Sequence, residues 1–505
     1  MQRRDFFRHT ASLAAHSVAA AAAMLAWQRL FASPPSAGPA LRTWSVSSEV
    51  FSLGVASGEP LPTSVVLWTR LAPQPIESGG GMPPQPVAVQ WEIAHDRRFT
   101  QVLRRGEVIA EPARAHSVHV EVDGLQSGRQ YFYRFIAAGQ TSAVGRTRTA
   151  PDPKSDPGRL RVALASCQHY EMGAYTAHRE IATSDVDFVL FVGDYIYETT
   201  ADPLLRLRRH DIALENHFTL DNYRRHYGTY KQDPDLQACH AAHPWLITWD
   251  DHEVVNDYDG DRAYIQPREA FLKVRAEAYQ AYFEHTPISP RRAPVGPDAM
   301  MHTRYSWGRL ADLWLLDTRQ FRSPPPCTEA PHSLYGGRLL WRCEPASDES
   351  RSMLGGLQER WLADTLAASR GAWRLIAQST QIAPATFDTP LGRMQYADGW
   401  DAFPAARDRL MAAIAQPRVP DVVCLGGDVH RHVAANLRLT NHIKAANPDL
   451  LHVRSDERGY ALLDVTSEAL RCDFRATPHP VRADSRFRTQ ASYVVERGTA
   501  GPRRV

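Results

Sequence analysis

The sequence predicts an α/β layered core behind a smaller all-β sandwich, and three observations carry that prediction. From about Phe51 to Thr149, short apolar or alternating runs follow one another between Pro, Gly and polar turns. Beyond the Pro-, Asp- and Gly-rich stretch from Pro151 to Gly158, short apolar runs alternate with helical patterns, the rhythm of buried strands in a layered α/β fold. Several of those runs end in polar clusters, which is where open α/β sheets place their sites. At 505 residues the chain is long for a single hydrophobic core, so two domains are expected.

The first forty residues read as an address. Gln2-Arg3-Arg4-Asp5-Phe6-Phe7-Arg8 precedes an Ala-rich, weakly apolar run from Thr10 to Ala26 that contains His16. This is the pattern of a twin-arginine export signal, too short and too weakly apolar for a membrane span. The expected partner is therefore the twin-arginine translocase, and the expected location is the periplasm or the medium. Cleavage is expected between Ala32 and Ala40, and no later stretch is apolar enough to span a bilayer.

Residues 44–150 form the predicted β-sandwich. Val65-Val66-Leu67-Trp68, Val87–Ile93 and Ser117–Val122 read as strands, and Leu125–Phe135 places a turn before an aromatic strand. That last arrangement is typical of a fibronectin-like sandwich, in which a Tyr hydroxyl ties the strand back to a nearby loop. Residues 159–480 form the predicted core. Its strands are Arg159–Ala165, Val186–Val192, Leu313–Leu316, Arg374–Ala377 and Val422–Leu425, with helices over Pro267–Glu284 and Leu357–Ala368. Residues 481–505 read as a C-terminal tail.

Composition removes some classes of function. A net charge of +2 leaves no general grip for nucleic acid, so no specific nucleic-acid binding is expected. Lysine occurs only at Lys154, Lys231, Lys273 and Lys444, so nearly all positive charge is arginine, whose planar fork suits phosphate oxygens. None of the six cysteines forms a CxxC pair, which argues against a zinc ribbon or a thioredoxin-type site. Cys327 and Cys343 flank a short Pro-rich loop and are the candidate disulfide in an exported chain.

The chemistry lies at the strand ends. The first core strand ends in Ser166-Cys167-Gln168-His169 and the second in Gly193-Asp194-Tyr195-Ile196-Tyr197-Glu198. Trp245–Trp249 leads into Asp250-Asp251-His252-Glu253, and Cys424-Leu425 into Gly426-Gly427-Asp428-Val429-His430. One Asp at a strand end is common in turns. Four metal-capable clusters at successive strand ends point instead to a metal centre. Thiolate, phenolate and imidazole favour a transition metal, with ferric iron the hard match for tyrosinate. The remaining carboxylates suit calcium, magnesium or manganese. Adjacent ions bridged by one carboxylate polarise a phosphoryl oxygen, generate hydroxide and stabilise the leaving oxygen. A Ser nucleophile is the competing mechanism, but no GxSxG elbow occurs.

These residues carry a resemblance to the PhoD family of alkaline phosphatases and phosphodiesterases. It runs from about Phe51 to near Phe474 on Phe51–Gly58, Leu67–Arg70, Ala165–Cys167, Gly193–Tyr197, Trp249–Val254, Leu316–Gln320 and Gly426–His430. The resemblance implies a fibronectin-like N-terminal domain on a calcineurin-like metallophosphoesterase core, a two-sheet sandwich flanked by helices. It implies one ferric iron (Fe3+) on Cys167, Asp194, Tyr197 and His430, and one or two calcium ions (Ca2+) on Asp194, Asp251 and Asp428, with Asp194 bridging. By the same resemblance His252 supports the transferring phosphoryl group, Arg319 binds phosphate, and Arg322 is the alternative. Tyr195 alternates with Tyr197 and could point into the core. Asp250 could accept a hydrogen bond from a ligand without being one, and Glu284-His285 resembles a family motif but also fits helix-end capping.

One segment departs from the family pattern. After Asn436-Leu437 that pattern continues with a loop and a strand containing a Glu-Phe-Val-Gly-Thr-Ser-like run, whereas here the chain moves almost at once to Asn441–Pro448. The expected result is a more open site that turns over bulky diesters at least as well as small monoesters. The expected function is an exported, monomeric phosphoester hydrolase acting on small-molecule, lipid or polymer phosphoesters. A phospholipase D-like diesterase is the alternative, with loops 200–235 and 321–356 deciding substrate. A non-catalytic cell-surface binding protein would have eroded metal loops, and these are intact.

Overall fold

The computed structural model describes residues 49–200, 206–207, 218–263, 267–327, 333–334, 339–341, 343–384, 386–389, 392–436 and 449–505. The export signal, parts of the loops 200–235 and 321–356, and the departing segment from Leu437 to Pro448 lie outside them. Residues 45–505 form one compact unit.

A ten-stranded sheet runs, edge to edge, through Arg503–Arg504, Arg488–Glu496, Ala469–Pro478, Glu457–Val465, Leu160–Ala165, Phe188–Val192, Pro244–Thr248, Val55–Gly58, Val65–Arg70 and Ser117–Val122. Its centre, from Leu160–Ala165 to Val55–Gly58, is parallel, which is why Phe188–Val192 and Pro244–Ile247 are apolar and these strands are buried on both faces. A second sheet orders Thr303–Trp307, Ala311–Leu315, Trp373–Ala377 and Val422–Leu425, the last three parallel. The two sheets pack face to face through Val162, Leu190, Leu246 and Leu463 on one side and Leu313, Leu375, Ala377 and Leu425 on the other.

Helices cover both outer faces. Thr176–Thr183, Leu220–Lys231, Pro234–Ala242 and Arg268–His285 bury Ile181, Tyr227, Leu236, Ala278 and Tyr282 against Val189, Phe191 and Trp245 of the large sheet. Gly355–Ala368 and Pro404–Ile414 bury Leu362, Leu366 and Leu410 against Trp314 and Ile376 of the small one. The resulting helix–sheet–sheet–helix stack is the layered core that the strand and helix rhythm predicts. It fixes the carboxyl ends of the parallel strands side by side.

One sheet of the N-terminal region is continuous with this core. Val87–Ala94, Val102–Ala110, Gln130–Ala137, Gln140–Thr141 and Gly145–Arg148 form their own sheet, but Val55–Gly58, Val65–Arg70 and Ser117–Val122 extend the large sheet. Val65–Arg70 is buried on both faces, and a helix fills the far side: the Trp68 indole Nε1 donates to the Glu284 carbonyl at 3.0 Å. Within the separate sheet the Gln126 N–H donates to the Tyr131 hydroxyl at 2.9 Å, the tie expected of that aromatic strand. The C-terminal residues also differ from a tail. Arg488–Glu496 pairs antiparallel with Ala469–Pro478 and buries Ala491 and Tyr493, apolar positions two apart that a 25-residue polar stretch conceals.

His119, on Ser117–Val122, shows what holds this joint. Its Nε2 lies 2.9 Å from the Phe283 carbonyl and 3.0 Å from that of Thr286, and its ring stacks on Phe283 at 4.3 Å. Both partners accept, so Nε2 carries a proton. Burial is the main cause that draws its pKa down to about 4. The folded value lies below the unfolded one of about 6.5, so the contribution to stability is full above pH ~6.5 and is lost as pH falls toward 4. Thermal unfolding from pH 7 to pH 4 should therefore show a shallower acid loss for His119→Gln, which keeps an N–H donor and cannot ionise, than for the parent. Identical slopes would remove His119 from the account.

Candidate active site

Four strand-end loops converge. After Leu160–Ala165 come Cys167 and Gln168, and after Phe188–Val192 comes Asp194; the backbones are tied together by Cys167 N–H to Gly193 O and Gln168 N–H to Asp194 O, both 3.1 Å. Gly193 sits at φ 96°, and a Cβ there would meet that of Asp250 at 2.5 Å, so only glycine lets the second and third loops touch. Cys167, Asp194, Asp428 and His430 all have left-handed backbone, at φ 59°, 58°, 65° and 50°. Such conformations persist where the surroundings impose them, and they collect at functional sites.

Ligand-capable atoms of Cys167, Asp194 and His430 lie within 4.8 Å of one another, as do those of Asp194, Asp251 and His252, and those of Asp251, Asp257 and Asp398. Asp194 belongs to the first two groups, the bridging position that the resemblance gives it. The Tyr197 hydroxyl joins the first group, 3.0 Å from Asp194 Oδ2 and 3.0 Å from His430 Nε2. Asp428 stands beside them, its Oδ2 accepting from Thr380 Oγ1 at 2.7 Å. Tyr195, by contrast, points into the core and bonds His240 Nε2 at 2.8 Å.

The site's electrostatics call for cations. Burial, reinforced by Asp194, pushes the Cys167 thiol and the Tyr197 phenol well above their ordinary values, and burial with neighbouring carboxylates does the same to Asp194 and Asp428. Asp194 Oδ1 and Asp250 Oδ2 are buried without a hydrogen-bond partner. A multiply charged cation among these atoms reverses the penalty and satisfies the orphan oxygens. His252 is the local cation: burial opposes its charge, but Glu198, Asp251 and Asp194 together hold its pKa well above the usual value. Its Nδ1 lies 2.7 Å from Glu198 Oε2, which fixes the ring and leaves Nε2 for other work.

Arg319 and Arg322 face carboxylates. Arg319 is fully buried; its Nε donates to Asp250, and Nη1 and Nη2 grip Asp398 at 2.7 and 2.6 Å. Arg322 reaches the same Asp398 carboxylate at 2.6 Å. A guanidinium matched to a buried carboxylate is committed to it, so both arginines position acidic loops in this geometry. Glu284 and His285 also lie elsewhere, paired with Arg224 and Arg70. Cys327 and Cys343 form a disulfide.

Sequence reasoning missed Asp398, Asp257 and the structural part played by Glu253. Asp398 follows Gly392–Tyr396, a strand of a separate sheet with Ser333–Leu334, Leu339–Trp341 and Phe387–Thr389, whose sequence gives no sign of a site. Glu253 stood in the Asp250–Glu253 cluster without a role. In the fold its carboxylate accepts from the N–H groups of Asp194, Tyr195 and Asp250, at 3.2, 2.6 and 2.8 Å, and so clamps two metal loops together.

The profile of the PhoD-like phosphatase family matches residues 162–443, and that of its N-terminal domain matches residues 36–151. The chain belongs to the PhoD-like phosphatase family. Alkaline phosphatase D of Bacillus subtilis (strain 168) is 38% identical over 499 residues, covering 91% of this chain and 83% of that protein. A solved structure of PhoD superposes with a TM-score of 0.85 at 37% identity, covering 92% of this chain and 93% of that one. This member of the family is a phosphoester hydrolase with the family's layered fold.

Replacing Glu253 by Gln turns an amide N–H2 toward backbone donors that need an acceptor. The expected cost is about 3 kcal/mol in urea unfolding, with activity falling in parallel. An unchanged midpoint would show that the clamp is dispensable.

Proposed function

We propose that this PhoD-like phosphatase is an exported, metal-dependent phosphomonoesterase and phosphodiesterase acting at alkaline pH in the periplasm or the medium. The observation that supports it is the convergence of Cys167, Asp194, Tyr197 and His430 with Asp251, His252 and Asp428 around buried carboxylate oxygens that have no hydrogen-bond partner. The mixed donor set fits one ferric iron on Cys167, Asp194, Tyr197 and His430, and the carboxylate side, Asp194, Asp251 and Asp428, fits one or two calcium ions. When bound, such ions supply Lewis-acid activation of water and of the phosphoryl group.

The chain's own groups do the rest. His252, oriented by Glu198 through Nδ1, offers Nε2 as a donor to the phosphoryl group or to the departing oxygen. Arg319 and Arg322 hold Asp398, and Arg319 also holds Asp250 and lies 3.5 Å from Asp251, so the carboxylates keep fixed positions. The similarity to alkaline phosphatase D supports the alkaline optimum and the phosphate-ester substrate.

The purified protein should contain iron and calcium and be visibly tinted by phenolate-to-iron charge transfer. Tyr197→Phe should bleach or shift that band with the fold intact, and chelating calcium should stop turnover without bleaching. A colourless, fully active protein holding only zinc would overturn the assignment. Export is tested separately: changing Arg3 and Arg4 to Lys should leave precursor in the cytoplasm, and unchanged export would remove the twin-arginine reading.

A further inference from the structure

A cavity of about 1060 Å3 opens directly beside the metal-capable cluster, with Cys167, Tyr197 and His430 at one end. Between the two sheets its walls are apolar, while Asp421, Glu457, Arg458 and Arg503 also line it. Val423 comes from the small sheet, and Leu164, Leu463 and Cys472 from the large one, with Ala434 and Phe474 closing the side. The cavity is therefore a gap between the two sheets of the core, at the point where the metal loops leave them.

The strand Val422–Leu425 explains the gap. It is the last strand of its sheet, and no described strand pairs with its outer side. Its neighbours Ala311–Leu315 and Trp373–Ala377 are buried at every position, whereas Val422, Val423 and Cys424 are only half-buried. An equally apolar strand has thus been left with open space beside it. The size is that of a small-molecule pocket, and the lining is more apolar than polar.

We propose that this cavity is a subsite for an apolar ester substituent of the substrate, an alkyl chain of several carbons that stays on phosphorus while the other ester bond is cut. The inference rests on the phosphodiesterase reading of the adjoining site. Hydrolysis adds the oxygen of water to phosphorus, breaks one P–O ester bond and leaves a protonated alcohol. The retained alkyl monoester then lies with its phosphate at the cluster and its chain between Val423 and Leu463. Burying each methylene there favours binding by up to about fourfold.

The test uses a series of p-nitrophenyl alkyl phosphodiesters with methyl, butyl and octyl groups, on the metal-loaded full-length protein. kcat/KM should rise about tenfold or more from methyl to octyl. Val423→Phe and Cys472→Phe fill the cavity from opposite walls, and each should flatten the series while leaving methyl-ester turnover unchanged. Calorimetry gives a reading independent of turnover: octylphosphonate should bind the parent protein more tightly than methylphosphonate, with a more negative heat-capacity change. That arm also decides the matter if both variants fail to fold. Equal kcat/KM along the series and equal phosphonate affinities in the parent would overturn the subsite, including the case where the chain's own segment fills it. Absence of any methyl-ester turnover in a metal-loaded protein would instead overturn the phosphodiesterase reading.

Discussion

The structure depends on a buried knot of acidic groups whose charge the protein does not balance. Asp194, Asp250, Asp251 and Asp398 lie buried, and Asp428 half-buried, at the ends of adjacent strands or in the loops beside them. The cations set against them among the described residues are Arg319, Arg322 and His252. Keeping so many carboxylates out of water without equal positive charge is unfavourable by several kcal/mol per ion. The fold tolerates it because rigid parallel strands hold the loops where a relaxed chain would splay them apart. Left-handed backbone at Cys167, Asp194, Asp428 and His430 is the visible trace of that constraint.

The same knot joins the two sheets. Arg319 leaves the small sheet after Ala311–Leu315 and reaches Asp250, which leaves the large sheet after Pro244–Thr248. Ser379 Oγ, also from the small sheet, donates to Asp250 Oδ1 at 2.6 Å, and Thr380 holds Asp428. Loops from both layers are thereby set by one hydrogen-bonded network, and the removal of any one partner strands a buried charge. Position and charge are not separable here: the groups that place the acidic loops are the groups that partly neutralise them. The ions proposed for the site complete that neutralisation.

Much of this was legible in the sequence. Apolar runs such as Phe188–Val192 and Pro244–Thr248 announce buried parallel strands, and the polar clusters that follow them mark the site, because chain direction alone puts such clusters at one edge of the sheet. What stayed hidden depends on pairing across long separations. Asp398 reaches the site from a small sheet without a recognisable pattern, and Glu253 looks like any carboxylate until three backbone N–H groups point at it. The partners of the arginines were hidden for a related reason. An Arg in a phosphate enzyme suggests phosphate, but only the fold shows Asp398 already in its grip. Local pattern also cannot say that Val55–Gly58, Val65–Arg70 and Ser117–Val122 continue the large sheet.

The central claim, that metal ions balance this acidic knot, is most directly tested by anomalous diffraction from crystals of the active protein at the iron absorption edge. The account predicts a strong peak among Cys167, Asp194, Tyr197 and His430, with a second, non-iron ion between Asp194 and Asp251. Crystals of active protein with no anomalous peak, and only water between these side chains, would contradict it.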